Sequence, residues 1–256
     1  MEDSRQRGLS GGALKWIAAM SMFIDHFSAV VLLARFYYLR AWGTGLWSLN
    51  GYYVTRTIGR IAFPIYCFLI CEGYRHTHSV RRYLLRLSVF ALLSELPFDL
   101  AFQRRWFDMS SQNVFFTLAI GLCAIALWEW ARRGREGQSL LLASIAAALG
   151  CAALCVAAQR LETDYGGLGV LLILVMWLLR EHPLWRALAA LAVFTAMWRF
   201  AGSSWIEIFA LAAFAVIGCY NGERGGQKKY LFYIFYPTHL LTLVLIRTVF
   251  FPLPLK

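Results

Sequence analysis

The chain has 256 residues, of which 60% are hydrophobic and 16% aromatic, and it carries a formal charge of +11. Soluble domains are typically ~45–50% apolar. Here the excess gathers in long blocks separated by short arginine clusters, which argues against a soluble nucleic-acid-binding domain and for a polytopic membrane protein. The clusters then serve orientation by the positive-inside rule, with a minority of arginines left for an anionic ligand. A spanning helix needs ~20 residues, so the length fits roughly eight to ten transmembrane helices. The expected class is all-α: a leader over 1–11, a single transmembrane domain over 12–252 and a tail over 253–256.

Ser10 is placed to cap a first helix that runs to about Ala34. This apolar run is too long for a cleavable signal and lacks a small-x-small cleavage site. Near its middle stand Asp25 and His26. An acid at membrane depth costs at least ~2.5–3.5 kcal/mol, so the pair marks a functional site by default. Neighbours on a helix point about 100° apart, so the two are not each other's partner. Asp25 is expected to meet Arg60 or His239. His26 needs an orienting group from another helix, and Glu72 and Glu95 lie at the right depth.

Residues 35–57 carry Phe36, Tyr37, Tyr38, Trp42, Trp47, Tyr52 and Tyr53. They read as an interfacial connection, with a short surface helix. A second helix is expected over about 58–73, bent by Pro64 and closing on Glu72. A third, over about 80–101, pairs Arg82 with Arg86 and Glu95 with Asp99 at one-turn spacing, while Pro97 frees backbone carbonyls. Further helices are expected over about 113–131, 139–158, 166–180, 184–200, 204–220 and 230–252, the last containing His239. The connections 72–82, 131–138, 180–186 and 221–229 carry the larger share of basic residues, which puts the N-terminus on the cytoplasmic side. All six cysteines fall in apolar blocks and read as packing residues. Cys67-x3-Cys71-x4-His76-x-His78 looks metal-like, but its cysteines lie within a span and its histidines beyond the end, so no metal is expected.

The polar residues at membrane depth are Asp25, His26, Arg60, Glu72, Arg86, Glu95, Asp99, Asn113, Glu207 and His239. Singly, each has a structural reading: an ion pair, a cap or a side chain reaching for water. Asp99, Asn113 and Asp164 also suit helix ends. As a set they suggest a cavity, because His26 and His239 both approach the midplane at a rise of about 1.5 Å per residue. Histidine near neutrality is the usual general base. No phosphate loop, dinucleotide fingerprint, nucleophile elbow or zinc-protease motif occurs. Three classes remain: a membrane-embedded transferase, a proton-coupled transporter and a non-catalytic assembly protein.

Leu14-Lys15-x-Ile17-Ala18, Ile24-Asp25-His26, Gly59-Arg60-Ile61-Ala62-Phe63-Pro64, Glu72-Gly73-Tyr74-x-His76-Thr77, Tyr83-Leu84-x-Arg86-Leu87, Ser94-Glu95-x-Pro97-Phe98-Asp99, Asn113-Val114-x-Phe116-Thr117-Leu118, Asp164-Tyr165-Gly166 and Tyr236-Pro237-x-His239-Leu240 occur in that order. Together they resemble the TraX family, whose conjugation-system member N-acetylates the pilin amino terminus at the bacterial inner membrane. The family looks related to larger transmembrane acyltransferases. The resemblance implies a bacterial cytoplasmic-membrane acyltransferase that uses acetyl-CoA and no metal. It implies His26 as base, with Asp25, Glu72, Glu95 and His239 around it. Arg60 and Arg86 would hold the coenzyme A thioester, with Arg82 and Asn113 beside them. The acceptor, whether a protein amino terminus, a glycan or a small molecule, is unspecified.

Overall fold

A computed structural model describes residues 8–200, 204–226 and 230–253. Residues 1–7 of the leader, 227–229 of the last basic connection and 254–256 of the tail lie outside the described residues. Within them the chain is helical, and its two β-bridges are isolated. Gly11–Leu39, Leu49–His76, Val114–Arg132, Gly137–Arg160 and Leu231–Phe250 are long and apolar enough to cross a bilayer. Gly166–Leu178 and Trp205–Gly218 are apolar but shorter. Two compact units are distinguished: residues 1–66, 93–108 and 197–256, and residues 67–92 and 109–196.

The first unit opens with α1 (Gly11–Phe27), whose Ser10 cap accepts from the Ala13 amide at 3.3 Å. Gly11 lets the chain press against a neighbouring loop. Its amide donates to the Glu223 carbonyl at 2.7 Å, and a Cβ there would meet the Arg224 carbonyl oxygen at 3.2 Å. The helix does not stop at Ala34. It widens into a π-helical turn over Ser28–Leu32 and continues as α2 (Leu33–Leu39), ending at Arg40 in the left-handed region. The expected interfacial connection is therefore largely helical. After a 3₁₀ turn at Gly45–Trp47, Ser48 caps α3 (Leu49–Gly59) by accepting from the Gly51 amide at 3.0 Å. The aromatic residues suggested an interface, and the cap in front of them went unread.

Pro64 acts one turn earlier than expected. Its ring conflicts with the carbonyl of residue i−4, here Arg60, and the chain breaks its helix at Arg60–Ile61. Pro64 itself sits in the first turn of α4 (Ala62–His76), where a missing donor costs little. Pro97, near the end of α5 (Val80–Phe98), is likewise followed by a second π-helical turn, Asp99–Gln103.

The second unit is built on α6 (Val114–Arg132), α7 (Gly137–Arg160) and α8 (Gly166–Leu178), around Ala124, Cys151, Ala158, Val170 and Leu174. Small side chains let these backbones approach, as is usual between helices in lipid. Asn113 caps α6: its Oδ1 accepts from the Phe115 amide at 3.1 Å, and its Nδ2 donates to the Ala91 carbonyl at 2.8 Å. The acidic turn before α8 is tied down by Gln112, which exchanges backbone bonds with Glu162 and Asp164 at 2.9 and 2.8 Å. Along α7, Leu141, Leu142, Ile145, Leu149 and Val156 are exposed, an apolar surface that hydrocarbon accommodates. Then comes α9 (Pro183–Phe200). The first unit resumes with a 3₁₀ stretch, Trp205–Ala212, α10 (Ala213–Gly218) and α11 (Leu231–Phe250).

Candidate functional site

Asp25 and His26 do point apart, and each has found its partners elsewhere in the first unit. Asp25, 5% exposed, lies against α3. Its Oδ2 accepts from Arg56 Nη1 and its Oδ1 from Arg60 Nη2, both at 2.5 Å. Arg56 and Arg60 are one helical turn apart, so a single carboxylate bridges both. Arg60 then reaches Glu207 with Nη1 at 2.6 Å and the Arg56 carbonyl with Nε at 3.2 Å. The four formal charges cancel. Burying charge is costly unless it is paired, and this chain of pairs meets that cost with charge-assisted hydrogen bonds. Gly59 makes the approach possible, because a side chain there would collide with Asp25.

His26, at the end of α1, is only partly buried and meets His239 of α11, which is 4% exposed. His26 Nδ1 and His239 Nε2 are 2.7 Å apart. His239 Nδ1 faces the Phe235 carbonyl at 2.9 Å. A carbonyl only accepts, so Nδ1 of His239 carries the proton and its Nε2 is the acceptor. His26 Nδ1 must then be the donor. Nε2 of neutral His26 is left with its lone pair, and no described residue bonds to it. This is the tautomer a general base requires. Phe102 sets its ring edge-on to His26 at 5.2 Å, and Tyr236 does so at 6.1 Å. Phe102 belongs to the second π turn. Arg247 of α11 holds that turn by donating to the Leu100 and Ala101 carbonyls at 2.8 and 2.7 Å. Arg247 thus engages carbonyls of the turn that follows Pro97, whereas the carbonyl that Pro97 itself frees lies four residues back, at Leu93.

The structure pairs Asp25 with Arg60 and, separately, His26 with His239. The orienting group of His26 is a histidine and not a carboxylate: Glu95 of the same unit makes no bond to it. Arg60, expected to face an acyl donor, turns all three donor nitrogens toward Asp25, Glu207 and the Arg56 carbonyl. Glu72, Arg82, Arg86 and Asn113 belong to the second unit. There Glu72 pairs with Arg75 at 3.2 Å and His76 at 3.5 Å, Arg86 lies over the Tyr83 ring, and Arg82 is exposed. Cys71 is a core residue that donates to the Ile173 carbonyl. Among the described residues no three His, Cys, Asp or Glu side chains gather as a metal site. Sequence reasoning missed Arg56 as the second clamp on Asp25, although its i,i+4 spacing to Arg60 was a usable signal. Phe102 and Arg247 carried no signal, since both depend on the π turn.

Spanning-length apolar helices, with a buried ion-pair chain and a histidine pair between them, define a multi-pass integral membrane protein. A profile of the family described as TraX protein matches residues 10–247, and the chain belongs to the TraX family. Over 265 aligned residues it is 29% identical to a Dichelobacter nodosus protein described as "Probable fimbrial assembly protein FimC, serogroup H1", covering 94% of this chain and 96% of that one. No solved structure matches the chain significantly.

Proposed function

We propose that this protein is a membrane-embedded acyltransferase of the bacterial cytoplasmic membrane, its N-terminus cytoplasmic, that moves an acetyl group from acetyl-CoA to an amine or hydroxyl acceptor during pilus or fimbrial assembly. The observation that carries the reading is the line of contacts from the Phe235 carbonyl through His239 to His26 Nδ1, which leaves Nε2 of a neutral His26 as the base. The acceptor's nitrogen or oxygen gives its proton to His26 Nε2 and forms a bond to the acetyl carbon. The carbon–sulfur bond breaks, and the proton returns from Nε2 to the departing sulfur. While His26 is protonated, its Nδ1–H stays bonded to His239, so the ring does not turn away. The apolar edges of Phe102 and Tyr236 disfavour water near the base, which favours transfer over hydrolysis. Arginine forks suit the donor's phosphates. Arg60, enclosed by Asp25 and Glu207, does not fit that role. The relative's description as a fimbrial assembly protein supports a pilus subunit as acceptor.

The test is label transfer from acetyl-CoA to peptide amines and to hydroxyl acceptors by the purified protein in lipid nanodiscs. His26→Ala and His239→Phe are each expected to lower transfer by about 10²–10⁴-fold while the protein stays folded. Transfer that survives both substitutions, or proton-coupled solute uptake that depends on Asp25, overturns the reading.

A further inference from the structure

Arg56 differs from Arg60 in one respect that matters for ligands. Arg60 is enclosed by its partners, its side chain only 8% exposed, while the Arg56 side chain is 22% exposed and makes one side-chain contact, Nη1 to Asp25. Nε and Nη2 of Arg56 have no partner among the described residues. These two donors form the side edge of the guanidinium, the edge that engages two oxygens of a carboxylate or phosphate at once. Asp25 holds the other end of the fork and is itself fixed by Arg60 and by the close approach at Gly59. The free edge is therefore preorganised. Arg56 also stands one turn beyond Tyr52 and Tyr53 on α3. A guanidinium edge left bare beside a buried ion-pair chain is unfavourable, and phosphate is a counter-group that the arginine fork suits.

We infer that Arg56 binds a phosphate group on its Nε/Nη2 edge, with Asp25 as the residue that aims it. Two sources carry that chemistry: the phosphates of a soluble ligand such as coenzyme A, and the headgroup of an anionic phospholipid. Only the first rests on the acyl-transfer reading. Because the Arg56–Asp25–Arg60–Glu207 charges cancel, binding comes from the local fork and not from a net field.

The test uses the full chain and Arg56→Lys, which keeps the ion pair with Asp25 but loses the fork, alongside Arg56→Gln. Binding of coenzyme A is measured in phosphatidylcholine nanodiscs, and retention of phosphatidylglycerol is measured by native mass spectrometry from mixed-lipid nanodiscs. We expect both variants to weaken one of these by about tenfold or more. Weakened coenzyme A binding assigns the soluble ligand, and weakened lipid retention assigns the headgroup. If wild type binds no coenzyme A yet retains the lipid through Arg56, the acyl-transfer reading loses support while the phosphate site stands. Wild-type behaviour of both variants in both arms overturns the inference.

Discussion

Alanine in place of Gly59 tests how tightly the ion-pair chain is built. A Cβ at this position falls within 2.6 Å of the Asp25 Cγ and closer still to other atoms of that side chain. At an exposed helical position the same change would stabilise by ~1 kcal/mol through helix propensity. Here two larger costs oppose it. If α3 withdraws to make room, the overpacking costs about 1–3 kcal/mol. If Asp25 swings out instead, Arg60 keeps Glu207 but loses its closer partner, and breaking a buried pair costs about 3–5 kcal/mol. Net of the propensity gain, the first route costs about 0–2 kcal/mol and the second about 2–4 kcal/mol, so a variant in which α3 and Asp25 each yield in part is destabilised by ~2 kcal/mol. The assay is reversible unfolding of the purified protein in mixed micelles, followed by helix content. Asp25→Ala is the control: it removes the colliding Cγ and Oδ1 and leaves only the Cβ, so the double variant must cost less than the sum of the singles. A Gly59→Ala protein as stable as wild type, or a double variant whose costs simply add, refutes the packing argument.

Asn113→Ala removes the cap of α6 and the donor to the Ala91 carbonyl, and is expected to cost ~1–2 kcal/mol, read as a lower unfolding midpoint with transfer activity retained. Arg247→Met leaves the Leu100 and Ala101 carbonyls without their donor. It is expected to raise hydrolysis relative to transfer as the Phe102 wall loosens; an unchanged ratio of the two products would show that the wall does not depend on Arg247.

Much of the site was readable because it depends on local rules. The 100° between neighbours separates Asp25 from His26, and depth counting puts His26 and His239 at one level, though not as partners. Asp25 with Arg60 followed from charge. What sequence could not give was the choice among partners of one type. Glu95 has the depth and the chemistry to orient His26, but His239 does so, and only the packing of α11 against α1 decides between them. Arg56 was hidden by its surroundings: Tyr52 and Tyr53 made its stretch read as interface, though Ser48 and Gly51 already supply a helix start. Pro64 signals a bend, but the break falls at Arg60–Ile61, because a proline disturbs the carbonyl four residues back.

The π turn at Ser28–Leu32 sets the phase of everything after it. A π turn holds one residue more than an α turn, so it works as a fixed rotational offset inside one continuous rod. Residues up to Phe27 count their faces in one frame, and those from Leu33 to Leu39 count in another. Any alignment that carries a single heptad frame across Ser28 will assign the aromatic end of this rod to the wrong side. Removing one residue from the turn should leave an uninterrupted α-helix whose aromatic end keeps its place, because the five residues of the π turn cover about the same rotation and rise as four α-helical ones. Loss of a residue here would leave Tyr37 and Tyr38 against the same neighbours, whereas loss of one from the regular turn Leu33–Phe36 would swing both by about 100°.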